Sequence, residues 1–296
     1  MSGAPMIFDR ALIRARQDRA RRLGPVTFLL ERVTQDLAER LGAVVRHFEV
    51  AVDLGTPTAD LRRALANNPA IGLLIAASSN AQSAGLALVA NEEALPFADA
   101  SLDLVVSALA LQTVNDLPGT LVQIRRALKP DGLLLAALLG GDTLRELRQS
   151  FAAAESEIEG GVSPRVAPFA DVREIGALLQ RAGFALPVTD VDRVTVRYAS
   201  VLALMHDLRR MGATNVLTER RRTPLRRATL ARMAEIYQRN FSDPDGRLRA
   251  TFDIVWLSGW APDASQQQPL RPGSARTRLA DALGVNEQPA GEKAGR

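Results

Sequence analysis

The chain has 296 residues, of which 47% are apolar, with a formal net charge of +4 and no cysteine. This length and composition predict one principal α/β domain with additions, the lack of cysteine excludes disulfides and thiolate nucleophiles, and two separated histidines indicate no metal site. No apolar run reaches the roughly 20 residues that a membrane-spanning helix needs and the N-terminus lacks a signal-peptide pattern, so we expect a soluble, cytoplasmic protein.

Residues 1–43 are predicted to form an arginine-rich helical arm. Six arginines crowd its first half, namely Arg10, Arg14, Arg16, Arg19, Arg21 and Arg22. Apolar residues then recur at three- and four-residue spacing from Val26 to Leu41, which indicates an amphipathic helix. Pro25 suits the first position of that helix, and Gly42 suits its end.

Five apolar strands are predicted to follow the arm, at residues 48–54, 71–76, 86–90, 102–107 and 133–139. The segments between them are long enough for crossover helices. The best bounded of these covers residues 117–128, between Asp116 and a Lys-Pro-Asp-Gly sequence. Strands that are apolar on both faces and alternate with crossovers predict a parallel sheet covered by helices on both sides.

A different pattern follows the fifth strand. Helices are predicted at residues 143–159 and 171–182, the second closed by Gly183, and Asp142 or Thr143 is expected to cap the first. Two late strands, 188–198 and 250–260, flank helices at 201–211 and 225–241. We expect these strands to pair, with 250–260 as an antiparallel edge strand and the helices as an insertion at about 200–245.

The last residues lose the periodic pattern of the rest of the chain. Glutamines, prolines, glycine and charged residues predominate from residue 264 onward. Apart from a short helix at 277–283, residues 264–296 are therefore predicted to form a mostly disordered tail.

An ordered set of motifs spans nearly the whole chain. It comprises Phe8-Asp9-Arg10, Glu92-Glu93-Ala94-Leu95-Pro96-Phe97, Val114-Asn115-Asp116-Leu117-Pro118, Gly140-Gly141-Asp142-Thr143-Leu144-Arg145-Glu146-Leu147-Arg148, Asp207-Leu208-Arg209-Arg210-Met211-Gly212 and Ser258-Gly259-Trp260. The set resembles class I S-adenosylmethionine-dependent methyltransferases. More narrowly, it resembles the methyltransferase-like assembly factors of respiratory complex I found in mitochondria and alphaproteobacteria.

That resemblance implies a Rossmann-like class I methyltransferase fold, with a seven-stranded, mostly parallel sheet, helices on both faces and a helical insertion before the last strand. The domain would cover residues 44–263. The resemblance also implies a role in complex I assembly and S-adenosylmethionine as the cofactor. Arginine hydroxylation of a complex I subunit is the activity attributed to the mitochondrial branch of the family.

The resemblance implies a cofactor site at the ends of the first four strands. The candidates are Asp53, Gly55, Ser78, Asn91, Glu92 and Ser107. Pro57 and Ala59 stand where the family has glycine, and proline lacks a backbone N–H. Ser78 lies where a carboxylate is expected for the ribose hydroxyls, and a hydroxyl accepts more weakly than a carboxylate. We therefore expect S-adenosylmethionine to bind weakly, or not at all.

A second set of residues is predicted to contact the substrate or a client protein: Phe8, Asp9, Arg10, Gln112, Asn115 and Arg165. Gln112 and Thr113 replace a histidine and a tryptophan of the family pattern, which indicates altered pocket chemistry. No catalytic residue emerges. The implied partners are a complex I subunit or another client protein.

The arginines of the arm and a second cluster, Arg220, Arg221, Arg222, Arg226 and Arg227, suit an acidic partner or peripheral attachment at the inner face of the membrane. A solvated helix face is the simpler interpretation of both clusters. Nucleic acid is not expected, because no aromatic residues alternate with these arginines. Two other functions stay open, a non-catalytic client-binding protein and a small-molecule methyltransferase.

Overall fold

The computed structural model describes residues 6–81, 85, 87–267, 281 and 283–285. Its strands are β1 (Phe48–Leu54), β2 (Ile71–Ser78), β3 (Leu88–Val89), β4 (Leu102–Ala108), β5 (Leu128–Leu139), β6 (Ala185–Tyr198) and β7 (Leu248–Trp260). Its α-helices are α1 (Arg10–Arg22), α2 (Phe28–Gly42), α3 (Asp60–Leu65), α4 (Leu117–Ala127), α5 (Arg145–Glu159), α6 (Val172–Arg181), α7 (Val201–Arg210) and α8 (Arg227–Phe241).

The strands form one seven-stranded sheet in the order β3-β2-β1-β4-β5-β7-β6. The pairs among β1 to β5 are parallel, and β7 runs antiparallel to both β5 and β6. The predicted Rossmann-like sheet is confirmed. The chain reverses its direction across the sheet between β1 and β4, which is where open α/β sheets place their ligands.

The predicted position of the last strand at the sheet edge is wrong. β7 lies between β5 and β6, pairing with both, so β6 forms the edge. Burial explains this order, because β7 is buried along almost its whole length whereas buried or half-buried residues alternate with exposed ones along β6. Asp190 and Asp192 on β6 form ion pairs with Arg40 and Arg32 of α2, which places charge at the edge strand.

Helices cover both faces of the sheet. Along β5, Leu133, Leu135 and Ala137 pack into a core with α2, α5, α7 and α8, while Leu134, Ala136 and Leu138 pack into a second core with α4 and α6. This two-sided burial follows from the period of two along a strand. The insertion between β6 and β7 is built of α7 and α8, as predicted.

The predicted cap of α5 is wrong. Leu144, in the left-handed region at φ 54°, precedes α5, and no side chain caps the helix. The Thr143 hydroxyl instead accepts a hydrogen bond from the Asp253 amide at 3.1 Å and donates to the Asp253 carbonyl at 3.2 Å, because β7 lies beside this turn. Asp142 forms an ion pair with Arg193. The predicted end of α6 is confirmed, with Gly183 at φ +84°.

The N-terminal segment contains two helices, and the second begins at Phe28 instead of Pro25. Most of the predicted tail and its short helix lies outside the described residues. The division into an arm at 1–43, a domain at 44–263 and a tail at 264–296 stays a prediction. No helix among the described residues is long and apolar enough to cross a membrane.

Candidate cofactor and substrate cavity

A cavity of about 750 Å³ lies at the carboxyl ends of the parallel strands. Gly55 after β1, Ser79 after β2, Glu92 after β3 and Ala110 after β4 contribute to its lining. α1, the end of α7 and the segment 211–222 line it as well. The sheet therefore supplies one side of the cavity, and segments from outside the parallel strands enclose the rest.

Gly55 permits the tight turn that follows β1. Its φ is +76°, and an added Cβ would lie 3.1 Å from both the Ala110 Cβ and a Glu92 carboxylate oxygen. An L side chain would be strained at this φ. At this turn the backbone therefore passes close to the buried carboxylate of Glu92. Pro57 and Thr58, which follow Gly55, also line the cavity.

Glu92 is the acidic centre of this end of the cavity. The Ser79 amide and hydroxyl donate to one of its carboxylate oxygens at 3.2 and 3.1 Å, and Arg10 of α1 forms an ion pair with the other. The Arg10 guanidinium also donates to the Ser79 hydroxyl and the Thr113 carbonyl, both at 3.3 Å. Arg10 therefore joins α1 to the ends of three strands through a buried carboxylate.

The start of α1 is attached by backbone hydrogen bonds. The Asn115 amide group accepts from the Phe8 N–H at 2.7 Å and donates to the Phe8 carbonyl at 3.3 Å, and Phe8 is 4% exposed. The Asp9 side chain accepts from the Leu12 N–H and caps the helix. That hydrogen bond, with the charge of Arg220 nearby, lowers the pKa of Asp9 below its ordinary value.

Two of the six predicted cofactor residues, Gly55 and Glu92, line the cavity. Asp53 does not, because it is buried against Arg62 beneath the turn. Burial raises the pKa of Asp53 to about 6, although Thr56 and Arg62 oppose the rise. Ser107 donates to the Leu54 carbonyl at 2.7 Å and is fully buried.

The other two predicted cofactor residues also lie outside the lining. The Ser78 hydroxyl accepts from the Asn80 amide, and it is the next residue, Ser79, that contacts Glu92. Asn91 is exposed and accepts from the Glu93 amide. Ser79 and Glu92, which line the cavity, directly follow Ser78 and Asn91, and the cofactor-binding role of these residues stays a prediction.

Of the predicted substrate or client residues, Phe8, Arg10, Gln112 and Arg165 line the cavity, while Asp9 and Asn115 hold the start of α1. The carboxylate of Glu155 accepts from Arg165 at 2.6 Å, and that guanidinium stacks over the Phe151 ring at 5.5 Å. Burial raises the pKa of Glu155, but hydrogen bonds from Ser163 and Arg165 outweigh burial, and the net pKa is lowered.

The lining residues fit S-adenosylmethionine in part. The side-chain amide oxygen of Gln112 is buried without a hydrogen-bond partner, so it can accept a hydrogen bond from a ligand. Gly55 allows close approach, and Glu92 is a carboxylate of the kind that ribose hydroxyls bind. The lining does not fit tight binding of the cofactor, because Glu92 already forms an ion pair with Arg10.

Sequence reasoning missed Ser79 and Arg16 as lining residues. The positions of α1 that face the cavity are Arg10, Ile13, Gln17, Ala20 and Arg21, with Arg16 beside them. Their spacing of three and four residues is helical, so the face could have been found as a stripe on the predicted arm. The two predicted arginine clusters also meet here, since Arg220, Arg221 and Arg222 line the same cavity.

Comparison with known proteins shows the family to which this chain belongs. Over 286 residues the chain is 38% identical to a protein of Danio rerio named arginine-hydroxylase NDUFAF5, mitochondrial, covering 93% of this chain and 89% of that protein. The chain belongs to the NDUFAF5 family. Residues 32–136 match the methyltransferase domain family, which includes Gly55 and Glu92 but not α1 or segment 211–222.

Two further similarities concern methyltransferases. The chain is 39% identical over 221 residues to the malonyl-[acyl-carrier protein] O-methyltransferase of Laribacter hongkongensis, covering 75% of this chain and 66% of that protein. The solved structure of the YcgJ protein from Bacillus subtilis superimposes with a TM-score of 0.53 at 14% identity, over 78% of this chain and 98% of that one. The structural likeness bears on the fold alone.

Proposed function

We propose that this protein is a methyltransferase-like assembly factor that binds a subunit of respiratory complex I as its client, at the inner face of a membrane. The near full-length similarity to the NDUFAF5 proteins carries this proposal. A human protein of the same name aligns with 97% of this chain, so the similarity extends beyond the methyltransferase match to α1 and the insertion that line the cavity.

S-adenosylmethionine is the cofactor that we propose for the cavity, with Gly55, Ser79, Glu92 and Gln112 as the residues that would hold it. When bound, it supplies a transferable methyl group on a sulfonium. The chain contributes orientation and exclusion of water, because the lining offers few titratable groups besides arginine. Binding is weak, since Arg10 competes for Glu92 and the lining arginines that lack a carboxylate partner among the described residues repel a sulfonium cation.

Isothermal titration of the full chain with S-adenosylmethionine tests the cofactor. We expect a dissociation constant above about 100 μM, which corresponds to a modest binding free energy. Tight binding would contradict the competition by Arg10, and no heat at any concentration would remove the cofactor from the proposal.

Client capture from native membranes tests the partner. The double variant Arg222→Glu and Arg227→Glu reverses two exposed charges near the cavity, whereas Arg173→Glu with Arg181→Glu reverses two exposed charges on α6. We expect the first variant to lose complex I subunits identified by mass spectrometry and the second to retain them. Equal recovery with both variants would contradict a part for Arg222 and Arg227 in client binding, and no complex I subunit with the unmodified chain would contradict the client role itself.

A small-molecule methyltransferase is the second candidate. The 39% identity with a malonyl-[acyl-carrier protein] O-methyltransferase favours it, as does the apolar part of the cavity lining. The two candidates differ in the methyl acceptor. Transfer of labelled methyl groups to a carrier-bound acid, with no complex I subunit captured, would favour the second candidate over the first. Capture without methyl transfer would favour a non-catalytic client-binding protein.

A further inference from the structure

The cavity has a pronounced excess of positive charge. Among the described lining residues, eight are arginine and one, Glu92, is acidic. The arginines are Arg10, Arg16, Arg21, Arg165, Arg210, Arg220, Arg221 and Arg222. They come from segments far apart in the sequence, so the fold itself brings the charges together.

Most of these arginines are neutralised by the chain. Five form ion pairs with carboxylates, namely Arg10 with Glu92, Arg21 with Asp18, Arg165 with Glu155, Arg220 with Asp9 and Arg221 with Glu159. Arg210 donates to the Gly24 carbonyl at 2.7 Å. Among the described residues, neither Arg16 nor Arg222 has a carboxylate partner, and Arg222 is exposed to solvent.

Arg16 is the exception that cannot rely on solvent. It is half-buried, and its Nε atom is shielded from water without a hydrogen-bond partner. Burial lowers the pKa of Arg16, and the nearby charges of Arg220 and Arg209 lower it further. An unpaired charge in such a place is costly, whereas an anion brought to it removes the cost.

We propose that the cavity binds a small-molecule anion, a carboxylate or phosphate group, at Arg16 with Arg220 beside it. The proposal shares its cavity with the proposed function but does not depend on S-adenosylmethionine. Apolar side chains including Leu29, Leu30, Phe151 and Met205 line the same cavity, so the anionic group is carried on an apolar body. The unpaired charge of Arg16 repels a substrate guanidinium, which therefore does not enter this end of the cavity.

Three probes test this site: two carry the same eight-carbon chain with opposite charge, and the third is an anion without a chain. The full chain is titrated calorimetrically, at constant ionic strength, with octanoate, octylamine and inorganic phosphate. We expect octanoate or phosphate to bind and octylamine not to bind. Octanoate alone identifies a carboxylate ligand and phosphate alone a phosphate ligand. The proposal is overturned when neither anion binds, or when octylamine binds as well as octanoate.

Arg16→Gln and Arg14→Gln form a matched pair, since both residues lie on α1 and only Arg16 lines the cavity. Arg16→Gln should weaken binding of the anion about tenfold, as expected for a lost charged hydrogen bond. Arg14→Gln should change it by less than about twofold, because Arg14 does not line the cavity. Equal weakening by the two variants would mean that only bulk charge matters and would overturn the proposal.

Thermal unfolding separates a ligand site from a structural role. Without ligand, Arg16→Gln should melt no lower than the unmodified chain, because the substitution removes an unpaired, partly buried charge. A lower melting temperature together with unchanged anion affinity would assign Arg16 to the fold and sink the proposal. Titration of the same samples with S-adenosylmethionine keeps the tests apart, since its failure contradicts the proposed cofactor and leaves the anion site standing.

Discussion

The two helices of the N-terminal segment lie next to each other in sequence and play different parts. α2 is a core element, with Val33, Leu37 and Leu41 fully buried against the sheet. α1 buries only Ile13 and Ala20 and directs charged side chains into the cavity. The sequence predicted a single arginine-rich arm. The contrast teaches that this segment has two parts: α1 lines the cavity, and α2 is part of the structural core.

Leu37→Ala should separate the two helices most clearly. Removing a fully buried leucine leaves a cavity, so we expect the free energy of unfolding to fall by about 3 kcal/mol. Ile13→Ala on α1 should cost less, about 1–2 kcal/mol, because α1 packs against a small apolar cluster. Denaturant unfolding of both variants measures this. Equal losses would mean that α1 is as much a part of the core as α2.

Between about pH 4 and pH 6, we expect the stability of the protein to depend on the titration of Asp53, in the core beneath the cavity, and not on that of Asp9, at the start of α1. The pKa of Asp53 is raised to about 6, so the folded state holds a proton that the unfolded state has released. Stability is therefore lost as pH rises from about 4 to about 6, by up to about 3 kcal/mol.

Asp53→Asn removes that loss, together with the ion pair that the ionised Asp53 carboxylate forms with Arg62. The difference in unfolding free energy between the variant and the unmodified chain should grow with pH over this interval. Asp9→Asn is the comparison on α1. The lowered pKa of Asp9 gives stability that is lost only at more acidic pH, so its difference should stay flat. A flat profile for Asp53→Asn would place Asp53 in a more polar environment than its burial indicates.

Asn115→Ala should loosen α1 and leave α2 in place. The substitution removes two hydrogen bonds to the Phe8 backbone, and we expect a loss of about 1–2 kcal/mol in the local stability of α1. Hydrogen exchange should accelerate in residues 10–22 and remain slow in residues 28–42. Gln35→Ala, on the exposed side of α2, is the control. Faster exchange in both helices would show that they open as one unit.

Arg10→Ala should have the smallest effect, and it acts on the ligand instead of the fold. The variant frees Glu92 from its ion pair, so the affinity for S-adenosylmethionine should rise by about threefold to tenfold. Arg14→Ala removes the same charge from α1 outside the cavity lining and should leave the affinity unchanged. Weaker binding by Arg10→Ala would assign Arg10 to the cofactor site as a contact.

Local patterns predicted the elements well because their signals are local. The end of α6 at Gly183 and the apolar run of β1 need no knowledge of distant residues. The order of β6 and β7 depends on which strand is buried on both faces. In β7 all residues from Phe252 to Leu257 are buried, and all of them except Asp253 are apolar. This run is the sequence signal for a strand that is buried on both faces.

The site was harder to predict, since the residues that line it are far apart in the sequence and come together only in the folded chain. The family pattern located Gly55 and Glu92, but it could not say that Ser107 and Asp53 turn into the core. The predicted cap at Thr143 failed because its hydroxyl bonds to Asp253, 110 residues later. Likewise, the arginine clusters looked like solvated faces until folding set Arg16 near Arg220.

The central position of β7 has a consequence for synthesis of the chain. In the part of the chain that the structure describes, β6 pairs in the sheet only with β7, and β7 is synthesised about 50 residues after the end of β6. Until then, the growing polypeptide exposes an unpaired edge on β5 and an unattached β6, both of which can pair with other chains. Completion of the sheet therefore waits for residues 248–260, and a nascent chain stalled before them is the species most prone to aggregate.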